Sequence, residues 1–589
     1  MEELIFLDFE EFRKLRDFNR KNIILLDYPP QDFFNFPLEL IEKYNIEEFY
    51  PNGLLKNLEK RSEALLEKFY SHLENQFFYK NIDLSSAIKN YLFLYFVKFV
   101  KYTDILDYII KKNHPKKVFI KYHKIEKNHD LINGPELLIS ILTEICSINK
   151  IPIRIDVIKD KKSLIKLRLK VHLVNLLGIL QNIYIKAVLS KNNKKKNILF
   201  VGGKEAYLSI LEYLKGKAKI IRCGINPGLS FLNSYQDYYL TFWNKPKHKR
   251  VNFSKTNFFS NIRSIKYKGY SFYKMFLINL DYLFNIYFNL IVRWIDTAYN
   301  IEPYVDAVVT TNDVIPLEQI IIKVLKQNKK KCYLIEHGYT IVIDNLFPLV
   351  EGKMLSDKMF VWGEESKKWM IKQGLKKENL IITGSPKFDS YYNNKEIINI
   401  KRKFNIPFNK KIVLFVAPPN KDIEYPKYFL SNKEHTELYR TLFRTIKNMN
   451  EFILIIKPHP SDIHINLPQK ILETENVSNV IMVNKNFQLK PLLKQSDLMI
   501  STGSTVNLEA MFFKKPIIIL NFFDKVKLEP FVDNGMCVGL SDKNRLKETI
   551  LNTFKNKDKL IENYLKYFKN YALADGKAYK RISNVILNN

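Results

Sequence analysis

The stretch FILIIKPHP (452–460), with SDLMISTGSTVNLEAMFFKKPIIIL (496–520), decides the fold. Residues 452–456 form a continuous apolar run of strand length that stops at Lys457-Pro458-His459-Pro460. Residues 498–500 form another, which stops at Ser501-Thr502-Gly503-Ser504-Thr505. A helical pattern opens there, and 516–520 gives a third strand. Continuous apolar strands alternating with helices predict a parallel sheet covered on both faces. Ligands bind such sheets outside the carboxyl ends of the strands, where both polar clusters fall.

Working outward, the same alternation recurs. Strands are expected at 22–27, 117–122, 151–158, 197–201, 219–222, 306–310, 332–335, 359–362, 380–383, 412–416 and 537–540. Helical patterns lie between them, notably at 137–148, 205–214, 316–327, 364–373, 434–448, 543–554 and 557–570. Residues 35–110 read as mostly helical, and 162–190 as a long basic amphipathic helix closed by KNNKKK (191–196). Residues 225–300 read as an aromatic, mainly helical insert. A polar, Asn- and Lys-rich break over 392–411 divides the chain. The expected architecture is α/β, with two Rossmann-like doubly wound domains facing a cleft. The first spans 1–391, the second 392–572, and 573–589 is a terminal helix.

A chain of 589 residues exceeds a single core, which agrees with that division. The net charge of +33 suits an anionic partner such as a membrane surface, an acidic substrate or a nucleic acid. The lysines are spread throughout and no nucleic-acid-binding signature accompanies them, so nucleic acid is not the expected partner. The four cysteines are far apart, which argues against a zinc site or a disulfide framework and fits a reducing cytoplasm. The N-terminal MEELIFLDFEEFRKL is broken by charges, unlike a signal peptide. The most apolar long segment, 271–295, carries Lys274, Asp281 and Arg293 and is too polar to span a bilayer.

Four constellations carry chemistry. In the loop Ser501 to Thr505, small hydroxyl residues and Gly503 lie between a strand and a helix, where unpaired backbone N–H groups favour phosphate; the same residue types also serve as ordinary helix caps. Glu509 follows a little over one turn later. In the second cluster, Pro458 and Pro460 hold His459 stiffly beside Lys457, a preorganised donor for a leaving phosphate. In Glu336-His337-Gly338, at a strand end of the first domain, the imidazole or the carboxylate suits proton abstraction from a hydroxyl. The last, Gly384-Ser385-Pro386-Lys387-Phe388-Asp389, is a Gly/Pro turn with flanking charges. Pro418, at the end of strand 412–416, lines the same expected rim, and Gly202-Gly203-Lys204 reads as a tight strand-to-helix turn.

Together these motifs resemble GT-B glycosyltransferases of surface-polysaccharide synthesis, and most nearly the CDP-glycerol glycerophosphotransferases of teichoic acid assembly. That family carries HG, GxPRxD and HP motifs, and a Ser-Ser pair followed by an acid. His337-Gly338 matches the first; Gly384, Pro386, Lys387 and Asp389 match the second with Lys for Arg; His459-Pro460 matches the third; Ser504-Thr505 with Glu509 matches the fourth. Bacterial polysialyltransferases and capsular Kdo transferases share the HP and Ser-Ser/Thr motifs. The resemblance covers roughly residues 300–589. It departs where the teichoic acid enzymes have Trp before HG and Asp-Tyr before the Ser pair; here Glu336 and Thr502-Gly503 stand instead, leaving a sugar and glycerol phosphate both open as the transferred group.

The resemblance implies a nucleotide-activated donor, CMP or CDP favoured, on the second domain. Ser504 and Thr505 would hold its phosphates, His459 would support the leaving group and Glu509 would contact the ribose. His337, or Glu336, would be the base for an acceptor hydroxyl on a polysaccharide or glycolipid. No cofactor and no metal site are expected, the nucleotide being a substrate. The protein is expected in the cytoplasm, with its lysines suited to the anionic inner face of the membrane. Three alternatives remain: a UDP-sugar glycosyltransferase, a UDP-GlcNAc 2-epimerase-like isomerase, and a non-catalytic polysaccharide- or nucleic-acid-binding protein.

Overall fold

Among the described residues, three separate parallel sheets organise the chain. The computed structural model describes residues 1–15, 22–26, 37–51, 53–124, 135–159, 195–202, 207–223, 238–240, 262–271, 273, 287–313, 315–336, 338, 354–392, 398–419, 430–462, 466–525 and 530–588. The basic helix expected at 162–190, most of the insert at 225–300, Gly203, Lys204 and His337 lie outside the described residues.

The N-terminal sheet holds β1 (Glu3–Leu7), β2 (Ile23–Leu25), β3 (Lys117–Lys124) and β4 (Ile153–Lys159) in the order β2-β1-β3-β4. β1 was not among the expected strands. Its flanking acids disguise it, yet Leu4 and Phe6 are buried and Glu3 pairs with Lys117 on β3 at 3.1 Å. Between β2 and β3 runs α1 (Leu84–Asn113), started by the Asp83 carboxylate, which accepts from the N–H groups of Ser85 and Ser86.

The first large domain sheet contains β5 (Asn197–Val201), β6 (Lys219–Cys223), β7 (Tyr238–Leu240), β8 (Ala307–Thr310), β9 (Lys331–Ile335), β10 (Lys358–Val361) and β11 (Leu380–Ile382). Their order is β11-β10-β9-β8-β5-β6-β7. Two helices that bear on the argument are α2 (Phe288–Ile301) and α3 (Pro316–Gln327). Residues of the N-terminal unit and of this domain share one apolar cluster, in which Phe96, Val100, Ile295 and Ile320 meet at 0% exposure. The expected single unit over 1–391 is thus two sheets fused through one core.

The second large sheet contains β12 (Lys411–Val416), β13 (Phe452–Lys457), β14 (Val480–Met482), β15 (Leu498–Ser501), β16 (Ile517–Leu520) and β17 (Val538–Leu540), in the order β14-β13-β12-β15-β16-β17. Both large sheets reverse direction at the first strand, the doubly wound pattern the alternation predicts. Alternate residues serve opposite faces of the second sheet. Leu414, Ile455 and Met499 join one apolar cluster; Phe415, Leu454 and Ile500 join the other. Each such side chain contributes about 1.5–3 kcal/mol by leaving water. Helix α4 (Asn432–Lys447) covers one face, opened by a reciprocal Ser431–Glu434 capping box, and α5 (Val506–Phe512) follows β15.

The terminal helix α6 (Ala578–Asn588) crosses back to the first domain. Ile582 and Ile586 pack with Ile198, Phe200 and Phe360, and Lys196 Nζ donates to the Leu587 carbonyl at 2.7 Å.

Candidate functional site

At the centre of the second sheet, β12 pairs with β13 and β15 through Val416 with Lys457 and Val416 with Ser501. The chain reverses between β12 and β15, so the crevice outside those two strand ends is the expected ligand site. Pro418, His459 and the loop from Thr502 to Thr505 all leave the sheet on this rim, and all are partly exposed.

His459 is held by its own loop. The Ser461 N–H donates to Nδ1 at 3.1 Å, with the Ser461 hydroxyl 2.7 Å from the same atom. A backbone N–H can only donate, so Nδ1 is an acceptor and the neutral ring carries its proton on Nε2. Ser461 was not singled out in the sequence; a hydroxyl residue two positions after the histidine is the signal that marks it.

Lys457 behaves differently from the expected phosphate ligand. It is 5% exposed, and its ammonium donates to the carbonyls of Pro458 and Lys485 at 2.8 and 2.7 Å. It braces the His459 loop from below.

Across the rim, Ser501 is buried and donates to Asn507 Oδ1 at 2.7 Å, tying β15 to α5. Gly503 has φ +77°, a conformation that favours glycine. The Ser504 hydroxyl accepts from the Val506 N–H at 3.3 Å. Thr505 faces the first domain: a Cβ built on Gly338 would stand 3.5 Å from Thr505 Oγ1. Gly338 itself has φ +102°. The turn that follows β9 therefore lies against the hydroxyl loop that follows β15, and the two domains meet at these strand ends. His337 immediately precedes Gly338 and lies outside the described residues.

Glu336, the other candidate base, is buried with protein partners. It is 2% exposed; its carboxylate accepts from the Trp362 N–H at 2.7 Å and the Ser366 hydroxyl at 3.0 Å, while its carbonyl accepts from Trp362 Nε1 at 2.9 Å. A carboxylate so held braces the turn after β9.

Glu509 also has protein partners where the resemblance implies a ribose contact. It is fully buried, with Oε1 accepting from Lys387 Nζ at 2.6 Å and Oε2 from the Tyr391 hydroxyl. The segment around Gly384 is a structural junction. Gly384 has φ +78°, and a Cβ there would come within 2.1 Å of the Leu573 carbonyl oxygen. Pro386 opens a one-turn helix. Asp389 accepts from the N–H groups of Ala578 and Tyr579 at 3.1 and 2.7 Å, capping α6; burial pushes its carboxyl above the ordinary range despite those two donors. Gly384, Pro386 and Asp389 thus dock the tail, and Lys387 reaches the second domain.

Comparison with known proteins follows these lines. Residues 356–588 match the family model of CDP-Glycerol:Poly(glycerophosphate) glycerophosphotransferase. This is the family that the motifs resemble, and the match covers the second domain, the junction and the tail. The teichoic acid glycerol-phosphate primase of Bacillus spizizenii is 31% identical over 150 residues, 25% of this chain and 35% of the relative. The minor teichoic acid biosynthesis protein GgaB of Bacillus subtilis is 25% identical over 222 residues, 36% of this chain and 24% of the relative. The chain thus spans about a third of the length of the first relative and a quarter of the second. Among solved structures, the UDP-GlcNAc 2-epimerase from Neisseria meningitidis bound to UDP-GlcNAc is 18% identical, covering 67% of this chain and 100% of that one at a TM-score of 0.44. Among the described residues, no helix is long and apolar enough to cross a membrane.

A cavity of about 990 Å³ lies elsewhere, lined by Glu39, Glu47, Glu48, Lys433, Arg440 and Lys543 among others. None of the motif residues lines it, so its size is no guide to the chemistry.

Proposed function

We propose that the chain transfers glycerol phosphate from a cytidine-activated donor, CDP-glycerol, to a hydroxyl of a growing cell-surface polymer. The observation that carries this reading is the meeting of two strand-end loops. The turn carrying Gly338 lies against Thr505, on the side of the sheet where the His459 loop also leaves it. The family match over 356–588 supports the choice of transferred group.

The chemistry divides between the domains. Donor phosphates lie along the hydroxyls of Ser504 and Thr505 and the loop amides, where the turn at Gly503 allows close approach. The acceptor oxygen attacks the glycerol-bearing phosphorus, the bond from that phosphorus to the bridging oxygen breaks, and CMP leaves. The hydroxyl proton passes to His337 as general base. The Nε2–H of His459 stabilises charge developing on the phosphates, its direction preset by Ser461. Closure of the two rims excludes water and so limits donor hydrolysis. The net charge of +33 favours residence near an anionic membrane surface.

The test is CMP release from CDP-glycerol by the purified chain with a glycerol-phosphate-primed lipid acceptor. A thermal-shift series with CMP, CDP, UDP, GDP and ADP runs in parallel. Transfer with stabilisation by cytidine nucleotides supports the reading. Stabilisation by UDP alone, or turnover of UDP-GlcNAc to an epimer, overturns it.

A further inference from the structure

The first domain's sheet reverses between β5 and β8, and in such sheets the crevice forms at that point. Ala307 to Thr310 on β8 pair with Ile198 to Val201 on β5, so Gly202 and Thr311 are the first residues beyond the two carboxyl ends. Gly202 has φ +103°, and a Cβ there would stand 2.5 Å from Thr311 Oγ1 and 3.7 Å from Glu318 Oε1. Bare backbone at this position is therefore what lets the threonine hydroxyl and the glutamate carboxyl lie side by side at the switch point.

Glu318 lies in the first turn of the twelve-residue helix α3. It is 4% exposed, yet among the described residues Oε2 has no hydrogen-bond partner. Buried polar atoms are seldom left unpaired, and each exception calls for a cause. Burial pushes the carboxyl up to about 7. Near neutral pH such a group both donates and accepts, which matches a hydroxyl better than a phosphate.

Its position agrees with that chemistry. β8 also pairs with β9, Thr310 opposite Leu334, so the crevice opens on the same rim as Glu336 and Gly338. With strands about 4.8 Å apart, Thr311 lies one strand spacing from that turn and Gly202 two, roughly 10 Å. A substrate reaching the rim from the first-domain side meets the two together.

We propose that the crevice formed by Gly202, Thr311 and Glu318 is a subsite for the hydroxyl-bearing, polyol end of the acceptor, with Glu318 Oε2 as its hydrogen-bond partner. This rests on the transferase reading above and names where the acceptor is held. Glu318 is a specificity residue here; no bond is made or broken on it.

The test compares Glu318→Gln, Glu318→Leu and the nearly isosteric Thr311→Val in the full chain. The donor is CDP-glycerol and the acceptor a synthetic lipid ending in one glycerol phosphate. Glu318→Leu is expected to raise the acceptor KM about tenfold or more, as lost hydrogen bonds to a substrate hydroxyl do. The donor KM and the slow release of CMP to water should stay within twofold. Glu318→Gln should restore most of the acceptor KM, and Thr311→Val should raise it severalfold. Glycerol 3-phosphate should raise the melting temperature of the wild type and not of Glu318→Leu. If Glu318→Leu does not fold, Thr311→Val decides through the same two readouts. Acceptor KM and glycerol 3-phosphate stabilisation unchanged in the folded variants would overturn the subsite. If the wild type neither binds CMP nor releases it from CDP-glycerol, the transferase reading fails on its own, and the glycerol 3-phosphate readout still judges the crevice.

Discussion

One neighbour sets the hydrogen-bonding state of His459. The Ser461 N–H fixes Nδ1 as the acceptor, so Nε2 presents the proton. His459→Ala should lower kcat by about 10²–10³-fold, the usual cost of one preorganised donor, with a melting temperature close to wild type; single-turnover CMP release measures it. Glu318 makes a different statement, about protons. Its carboxyl is raised from 4.5 to about 7 by burial, so between those values the folded chain binds more protons than the unfolded one. Stability contributed by this group therefore falls as pH rises through that window. Glu318→Gln should remove that slope; urea unfolding at pH 5 and pH 7.5, wild type against variant, checks it. The motifs place His459, Ser504 and Thr505 at strand ends in the sequence, and the structure brings them to one rim beyond β13 and β15. Lys457 is harder to read, because a lysine beside a strand end suits a phosphate or a carbonyl equally; its ammonium donates to the Lys485 carbonyl 28 residues on.

At the scale of elements, the junction around Gly384 is the instructive case. Its Gly/Pro/Asp pattern is visible in the sequence, yet its partner is the tail, nearly two hundred residues later. Asp389 caps α6, Arg581 Nε donates to the Thr383 carbonyl at 2.9 Å, and Arg581 pairs with Asp575. Periodicity shows that α6 is amphipathic; it cannot show that Ile582 and Ile586 belong to the first domain's core. β1 was missed for a related reason, since Glu2, Glu3 and Asp8 make a buried central strand look solvent-facing. Gly384→Ala forces a Cβ onto the Leu573 carbonyl at a φ that disfavours side chains, which should cost roughly 2–5 kcal/mol. Limited proteolysis should then cut between 572 and 578 in the variant before any site in the second domain. Lys387→Met acts on the other side of this junction. It removes one partner of the buried Glu509 carboxylate, leaving Tyr391. The lysine is partly exposed, so the expected loss is about 1–3 kcal/mol, below that of a fully buried pair. Lys387→Arg should recover part of it, by urea midpoint.

At the scale of the molecule, the two doubly wound sheets were readable from strand and helix alternation, but what holds them at their present angle was not. The N-terminal unit reaches over and touches the second domain through charge. Glu47 Oε2 accepts from the Lys433 N–H at 3.0 Å at the start of α4, and Glu48 pairs with Lys433 Nζ at 2.9 Å. Lys101 on α1 is buried nearby, where the Glu47 charge acts on it. Among the described residues, the apolar cluster of the N-terminal unit includes none between 411 and 571. A polar seam of this kind, beside a cavity of about 990 Å³, resists opening far less than an apolar one and responds to salt. A charge-assisted bond to a backbone N–H and a half-exposed ion pair together contribute about 1.5–3 kcal/mol, enough to change the ratio of closed to open molecules by about ten- to a hundredfold. The double variant Glu47→Gln, Glu48→Gln should therefore show a larger radius of gyration in solution scattering at low salt, with its melting temperature nearly unchanged. Wild type in 0.5 M NaCl should move toward the same value, because screening weakens the same contacts. If the double variant and the wild type scatter identically at both salt concentrations, the seam does not set the domain angle, and the contact of Gly338 with Thr505 must be held by the junction at Gly384 and Lys387 instead.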